Sequence, residues 1–135
     1  MSRQHPPSHL LASAPRRPGD LIIRQKTEAM IQYVYTTLRH WPKAERHVLG
    51  AEVRRTSWSL LRLIITANKR YFKKTTMQDL DAELDLLRSQ VRLAHELGFL
   101  PLARYEHWAR LNDEIGCLLG GWIAAQRQPD AGDAG

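Results

Sequence analysis

Three observations predict an all-α chain folded as an antiparallel up-down-up-down four-helix bundle. Apolar residues return at helical spacing along four segments, and no segment shows the alternating apolar and polar pattern of a strand. The segments are divided by only a few residues carrying Pro or Gly, short enough to lay consecutive helices side by side and antiparallel. A length of 135 residues suits one small domain and leaves no room for a barrel enzyme of about 250 residues.

Each element has a physical reason. Residues 1–20 hold Pro6, Pro7, Pro15 and Pro18 with little periodicity and read as a flexible leader. The first helix is expected after Asp20, an N-cap type, and runs to about His40 with Met30, Val34, Leu38 and Trp41 at helical spacing. Pro42 ends it and, because proline suits a first helical turn, opens a second helix that runs to about Lys74. Thr76 is the expected cap of the third helix, with Asp79, Asp81 and Glu83 near its positive end and Gly98 supplying the left-handed stop. Pro101 restarts the chain as a fourth helix to about Gln126. The domain therefore spans residues 21–127, and residues 128–135 read as a flexible tail.

The expected core seam is Val53, Leu60, Leu61 and Ile64 on the second helix, and Leu80, Leu84, Leu87, Val91 and Ala94 on the third. The fourth contributes Tyr105, Trp108, Leu111, Ile115, Leu119 and Trp122. A single Cys rules out an intrachain disulfide framework and a thiolate-rich zinc site, and fits a reducing compartment, with cytoplasm the expected location. No apolar run approaches the roughly 20 residues that span a bilayer.

Catalytic chemistry finds no support. No Glu-x-x-His pair exists to build a dinuclear carboxylate centre in a bundle core, and the six His residues are scattered near helix ends or in the leader. Cys117 lacks a nearby His and reads as a small buried hydrophobe. Gly120 and Gly121 follow no strand and lack the phosphate-loop pattern, so close helix packing beside Trp122 is their expected role. The reading is of a protein that is not an enzyme and carries no cofactor or metal.

Charge is what the chain does carry. Residues 43–74 hold nine Lys and Arg against two Glu, while residues 75–98 hold two Arg against five carboxylates. At 100° per residue, Arg55, Arg62, Lys69 and Lys73 fall within a narrow arc of the second helix, with Arg70 beside them and Lys74 continuing towards the loop. Arg54 sits well off this stripe and is a marginal member. The seam through Val53, Leu60 and Ile64 lies nearly opposite, so the cations point away from the core. None of the four stripe cations has an acidic residue at i±4. Such spacing suits a run of phosphates, and Tyr71 and Phe72 at its end could stack on an unpaired base. The bland alternative is a solvated outer face with those two aromatics covering the bundle end. A second surplus is apolar: Trp58 and Ile65 widen the second helix's seam, and Leu86, Leu93 and Leu97 form an extra row on the third. Extra rows of this kind suggest subunit contacts and a homo-oligomer.

Two blocks of sequence carry a family resemblance. Trp41-Pro42-Lys43-Ala44-Glu45-Arg46-His47-Val48-Leu49-Gly50 opens the second helix. In the last third, Leu97-Gly98-Phe99-Leu100, Tyr105-Glu106-His107, Asp113-Glu114-Ile115-Gly116 and Leu119-Gly120-Gly121-Trp122-Ile123 follow one another. Over residues 21–126 the chain resembles the accessory variability determinant (Avd) family of diversity-generating retroelements. That resemblance implies a non-catalytic four-helix bundle that assembles as a pentamer, binds RNA or DNA through basic surfaces and associates with the retroelement's reverse transcriptase. The transcriptase copies a template RNA with errors at adenines, and the cDNA replaces a variable region in a target gene, the process of mutagenic retrohoming. Bundle proteins encoded within intervening sequences of bacterial ribosomal RNA genes look much like this chain in length and in the 42–50 block, and provide the alternative. The Arg and Lys assignments rest on helical geometry, not on the resemblance.

Overall fold

In a computed structural model, residues 18–69 and 74–127 are described. The expectations for the leader before Pro18, for residues 70–73 and for the tail beyond Arg127 lie outside them. Four long helices and one short one occupy this range: α1 (Pro18–Leu38), α2 (Lys43–Arg46), α3 (Leu49–Lys69), α4 (Lys74–Glu96) and α5 (Leu102–Arg127). The long helices form a closed ring in which α1 packs on α3 and α5, and α4 packs on α3 and α5. Cross-helix pairs set their directions. Asp20 meets Asn68 and Tyr35 meets Trp58, so α1 and α3 run oppositely. Lys26 meets Glu114 while Tyr33 donates to the Arg104 carbonyl, which makes α1 and α5 antiparallel. Arg88 meets Asp113 and His95 stacks on Tyr105, so α4 and α5 are antiparallel too. Helix α4 then runs with α1 and against α3, completing the up-down-up-down order.

The core is the one periodicity predicts. Every expected seam residue on α3 and α4 is buried, as are Met30, Val34, Leu38 and Trp41 on the α1 side and Trp108, Ile115, Leu119 and Trp122 on α5. Tyr105 and Leu111 are half-buried and pack against this cluster. Gly98 adopts φ +86°, with the Phe99 amide donating to the Ala94 carbonyl and the Gly98 amide to the His95 carbonyl. Both last-turn carbonyls are thereby satisfied, and only a residue without Cβ takes that conformation cheaply.

Several local expectations are corrected. Helix α1 begins at Pro18, and Asp20 lies buried in its first turn instead of preceding it as a cap. The predicted continuous second helix is broken at His47 and Val48. Pro42 remains extended at φ −54° and ψ 138° ahead of a single turn of helix, and the Val48 amide closes back on the Glu45 carbonyl. Two contacts reward the break. The Arg46 guanidinium donates to the Trp41 carbonyl at 3.1 Å and the Arg39 carbonyl at 2.6 Å, satisfying acceptors just past the end of α1. Gly50 lets α3 start against them, since a Cβ there would lie 3.2 Å from the Glu45 carbonyl and 3.3 Å from the Leu38 side chain. Helix α4 starts at Lys74, so Thr76 is a buried first-turn residue and not its cap. Cys117 is exposed, not buried, because the buried face of α5 runs through Ile115 and Leu119 on either side of it. A Cβ added at Gly120 or Gly121 would meet nothing within 4 Å, so neither serves close packing; one added at Gly116 would run into the Arg88 guanidinium.

Candidate nucleic-acid interface

Helix α3 positions the cations. Its buried face, through Val53, Ser57, Leu60, Ile64 and Ala67, locks its rotation in the ring and leaves Arg55, Arg62 and Lys69 in solvent. Arg55, Arg62 and Lys69 follow at seven-residue intervals, hence about 10 Å apart along the axis, or about three nucleotide steps of a duplex strand. Lys74 is exposed at the start of α4. Arg70 and Lys73 lie outside the described residues, as do Tyr71 and Phe72.

Pairing divides the set. Arg55 is bonded to Glu52 one turn earlier, an i−3 partner that an i±4 inspection overlooks. Both members are well exposed, and such pairs contribute at most about 1 kcal/mol, so Arg55 is readily recruited to another anion. Among the described residues, Arg54, Arg62, Lys69 and Lys74 have no ion-pair partner. The positive face is therefore largely uncompensated.

Arg54, marginal by helical angle, gains its place from the fold. It lines a shallow pocket of about 200 Å³ together with Tyr35, Leu38, Arg39 and Arg46. Three arginines thus border one depression where α1 ends and α3 begins, and among the described residues its lining holds no carboxylate. Arg46 is fixed there by its two backbone acceptors. Arg39 and Arg46 escape a helix-by-helix reading because they sit on α1's end and on α2, and only the chain reversal at residues 39–48 brings them to Arg54. The nearest signal in the sequence was the density of cations from residue 43 onwards. Clustered arginines, one of them held in place, suit planar oxyanions, phosphates above all.

Other chemistry is sparse. Among the described residues no group of His, Cys, Asp and Glu could hold a metal ion. His95 is engaged with the Leu100 carbonyl at 2.8 Å and stacked on Tyr105, and His107 packs against Tyr33, so two of the helix-end His residues have local structural partners. No described helix is long and apolar enough to cross a membrane. The surplus apolar row on α4 is real: Leu86, Leu93 and Leu97 stand in solvent, with Leu97 60% exposed. On α3, Ile65 widens the seam, half-buried against the core, while Trp58 stands exposed.

Comparison with curated proteins finds no match. A family model does match, and it covers residues 21–126, from the first turns of α1 to the last turn of α5. The chain thus belongs to the bAvd-like family.

Proposed function

We propose that this protein is a non-catalytic accessory factor of a diversity-generating retroelement, which holds nucleic acid on the α3 face and associates with the reverse transcriptase to support mutagenic cDNA synthesis. The observation that carries the reading is that Arg62 and Lys69, with Arg54 to one side of them, have no ion-pair partner among the described residues, on a helix whose opposite side is locked into the core. A polyanion laid along it releases counterions at each neutralised phosphate, which supplies affinity without base recognition. Membership of the bAvd-like family supports the accessory role. The reaction itself belongs to the transcriptase, and the bundle's part is to hold a strand within that enzyme's reach. The exposed leucines of α4 support a homo-oligomer, a pentamer by family resemblance. Repetition of the basic face around a symmetry axis would raise avidity for a long strand.

The test is co-purification with a diversity-generating retroelement's reverse transcriptase, at low salt, together with nucleic-acid binding by the chain carrying Arg55→Glu, Arg62→Glu, Lys69→Glu and Lys73→Glu. Association with the enzyme and a large loss of strand binding in the variant are expected. Failure to associate, or unchanged binding, would overturn the proposal. A gene lying inside a ribosomal RNA operon, without a neighbouring transcriptase and paired template and variable repeats, would point instead to the intervening-sequence role.

A further inference from the structure

The groove between α1 and α3 holds the aromatic surface that the basic face otherwise lacks among the described residues. Trp58 is 46% exposed and Tyr35 43% exposed, large values for rings so close to a core. The Trp58 indole N–H donates to the Tyr35 hydroxyl oxygen at 3.0 Å, joining the two side chains across neighbouring helices. That bond satisfies the indole and restrains both rings, while the hydroxyl keeps its own proton to donate. The rings border a groove of about 530 Å³, floored by Ile31 and Leu61, within the roughly 300–1,000 Å³ typical of ligand clefts.

The charge around this groove identifies its occupant. Arg39 lines it and also lines the adjoining three-arginine pocket, so the two depressions share Tyr35 and Arg39 as a common border. On α3, Trp58 lies four residues after Arg54, three after Arg55 and four before Arg62, which puts the indole on the same helix face as these cations. Glu28, the carboxylate in the lining, is already paired with Arg24 at 3.6 Å. An apolar partner helix would have to bury these guanidinium groups without counter-charges. A single-stranded polynucleotide instead brings a flat apolar base for each phosphate, and matches an aromatic shelf rimmed by arginines.

We infer that Trp58 and Tyr35 form a stacking platform for an unpaired base, so that this face prefers single-stranded over duplex nucleic acid. The inference rests on the proposed nucleic-acid function and adds to it the strand class and the residues that select it. Phosphates run over Arg39, Arg54 and Arg62, while one base leaves the strand's own stack and lies on the indole. Base identity matters little, because every base has a π face.

Trp58 is also its own reporter. The chain has four Trp residues, and Trp41, Trp108 and Trp122 are buried, so quenchable emission belongs mainly to Trp58. The experiment titrates the full chain with a single-stranded oligo(dT), an oligo(U) of equal length, a blunt duplex of equal length and an abasic strand with the same phosphate count, at fixed salt. Expected are quenching by the two base-bearing single strands, comparable for each sugar, and weaker binding of the abasic strand. Trp58→Leu should cost roughly 5- to 100-fold in single-strand affinity and leave duplex affinity and the salt slope unchanged. Trp58→Phe should retain most of the affinity, and a circular dichroism melt checks that both variants fold. Equal binding of single strand, duplex and abasic strand, with no effect of Trp58→Leu, would overturn the platform while leaving nucleic-acid binding intact. Loss of self-association in Trp58→Leu, without a selective single-strand loss, would also overturn it and make the groove a contact with a second copy. No binding to any of the four probes would remove both this inference and the function beneath it.

Discussion

Arg62 on α3 and Arg88 on α4 are both arginines on long helices of one ring, yet their surroundings make them different objects. Arg88 lies between Asp85 on its own helix and Asp113 on α5, at 3.5 Å from each, in space left by the missing side chain of Gly116. Arg62 has no ion-pair partner among the described residues. At Arg88 the α4–α5 side holds a cation between two carboxylates and leaves leucines in solvent nearby, whereas Arg62 on the α3 side keeps its charge unspent. The lesson is that an arginine's availability is set by the carboxylates of the helix beside it, as much as by its own helix. Net charge alone would not have separated the two sides.

The largest expected effect tests the frame that holds both sides. Leu87 is fully buried and its neighbour Leu86 is nearly half exposed. Leu87→Ala is expected to destabilise the fold by about 2–5 kcal/mol, and Leu86→Ala by less than about 1 kcal/mol, both read from chemical denaturation. Equal losses would mean that α4 is rotated from the orientation described here. Next comes charge. Reversal of Arg54, Arg62 and Lys69 together to Glu should weaken polynucleotide binding by about a hundredfold or more at low salt and make the salt dependence shallower by about one unit of slope per lost contact. Arg92→Glu on the exposed side of α4 should change binding only about twofold, and a comparable loss there would erase the contrast between the faces.

The exposed leucines sharpen the other half of the comparison. Changing Leu86, Leu93 and Leu97 to Ser should leave the protomer's unfolding free energy within about 1 kcal/mol while lowering the mass seen by sedimentation. Unchanged mass would mean that this row is not a subunit contact. The smallest effect is expected at Glu52. Glu52→Gln releases Arg55 and should strengthen strand binding by about twofold, in keeping with the small worth of an exposed pair.

The helices were legible because burial on one side of a helix imposes a repeat of 3.6 residues, and that repeat survives in the residues themselves. Val53, Leu60 and Ile64, or Leu80, Leu84, Leu87 and Val91, announce a buried face without any knowledge of what covers it. Gly98 was legible for a similar local reason, since its backbone conformation excludes most other residues. The break at His47 and Val48 was not, because Lys43, Ala44, Glu45 and Arg46 are all compatible with an uninterrupted helix. What selects the break is remote: Arg46 reaching the carbonyls of Arg39 and Trp41, and Gly50 lying against Leu38. The same limit applied to Cys117 and to Gly120, whose sides of α5 could be assigned only once the ring was closed.

The candidate interface divides along this line. Residue order alone decided that Arg55, Arg62 and Lys69 share one face opposite an apolar seam, because both the stripe and the seam follow from the pitch of one helix. Only the tertiary structure decided that Arg54 belongs with Arg39 and Arg46, that Arg88 is spoken for, and that Trp58 meets Tyr35 beside the cations and not within the core. Each of those facts joins side chains from different elements, and their distance in space depends on packing that no single helix encodes.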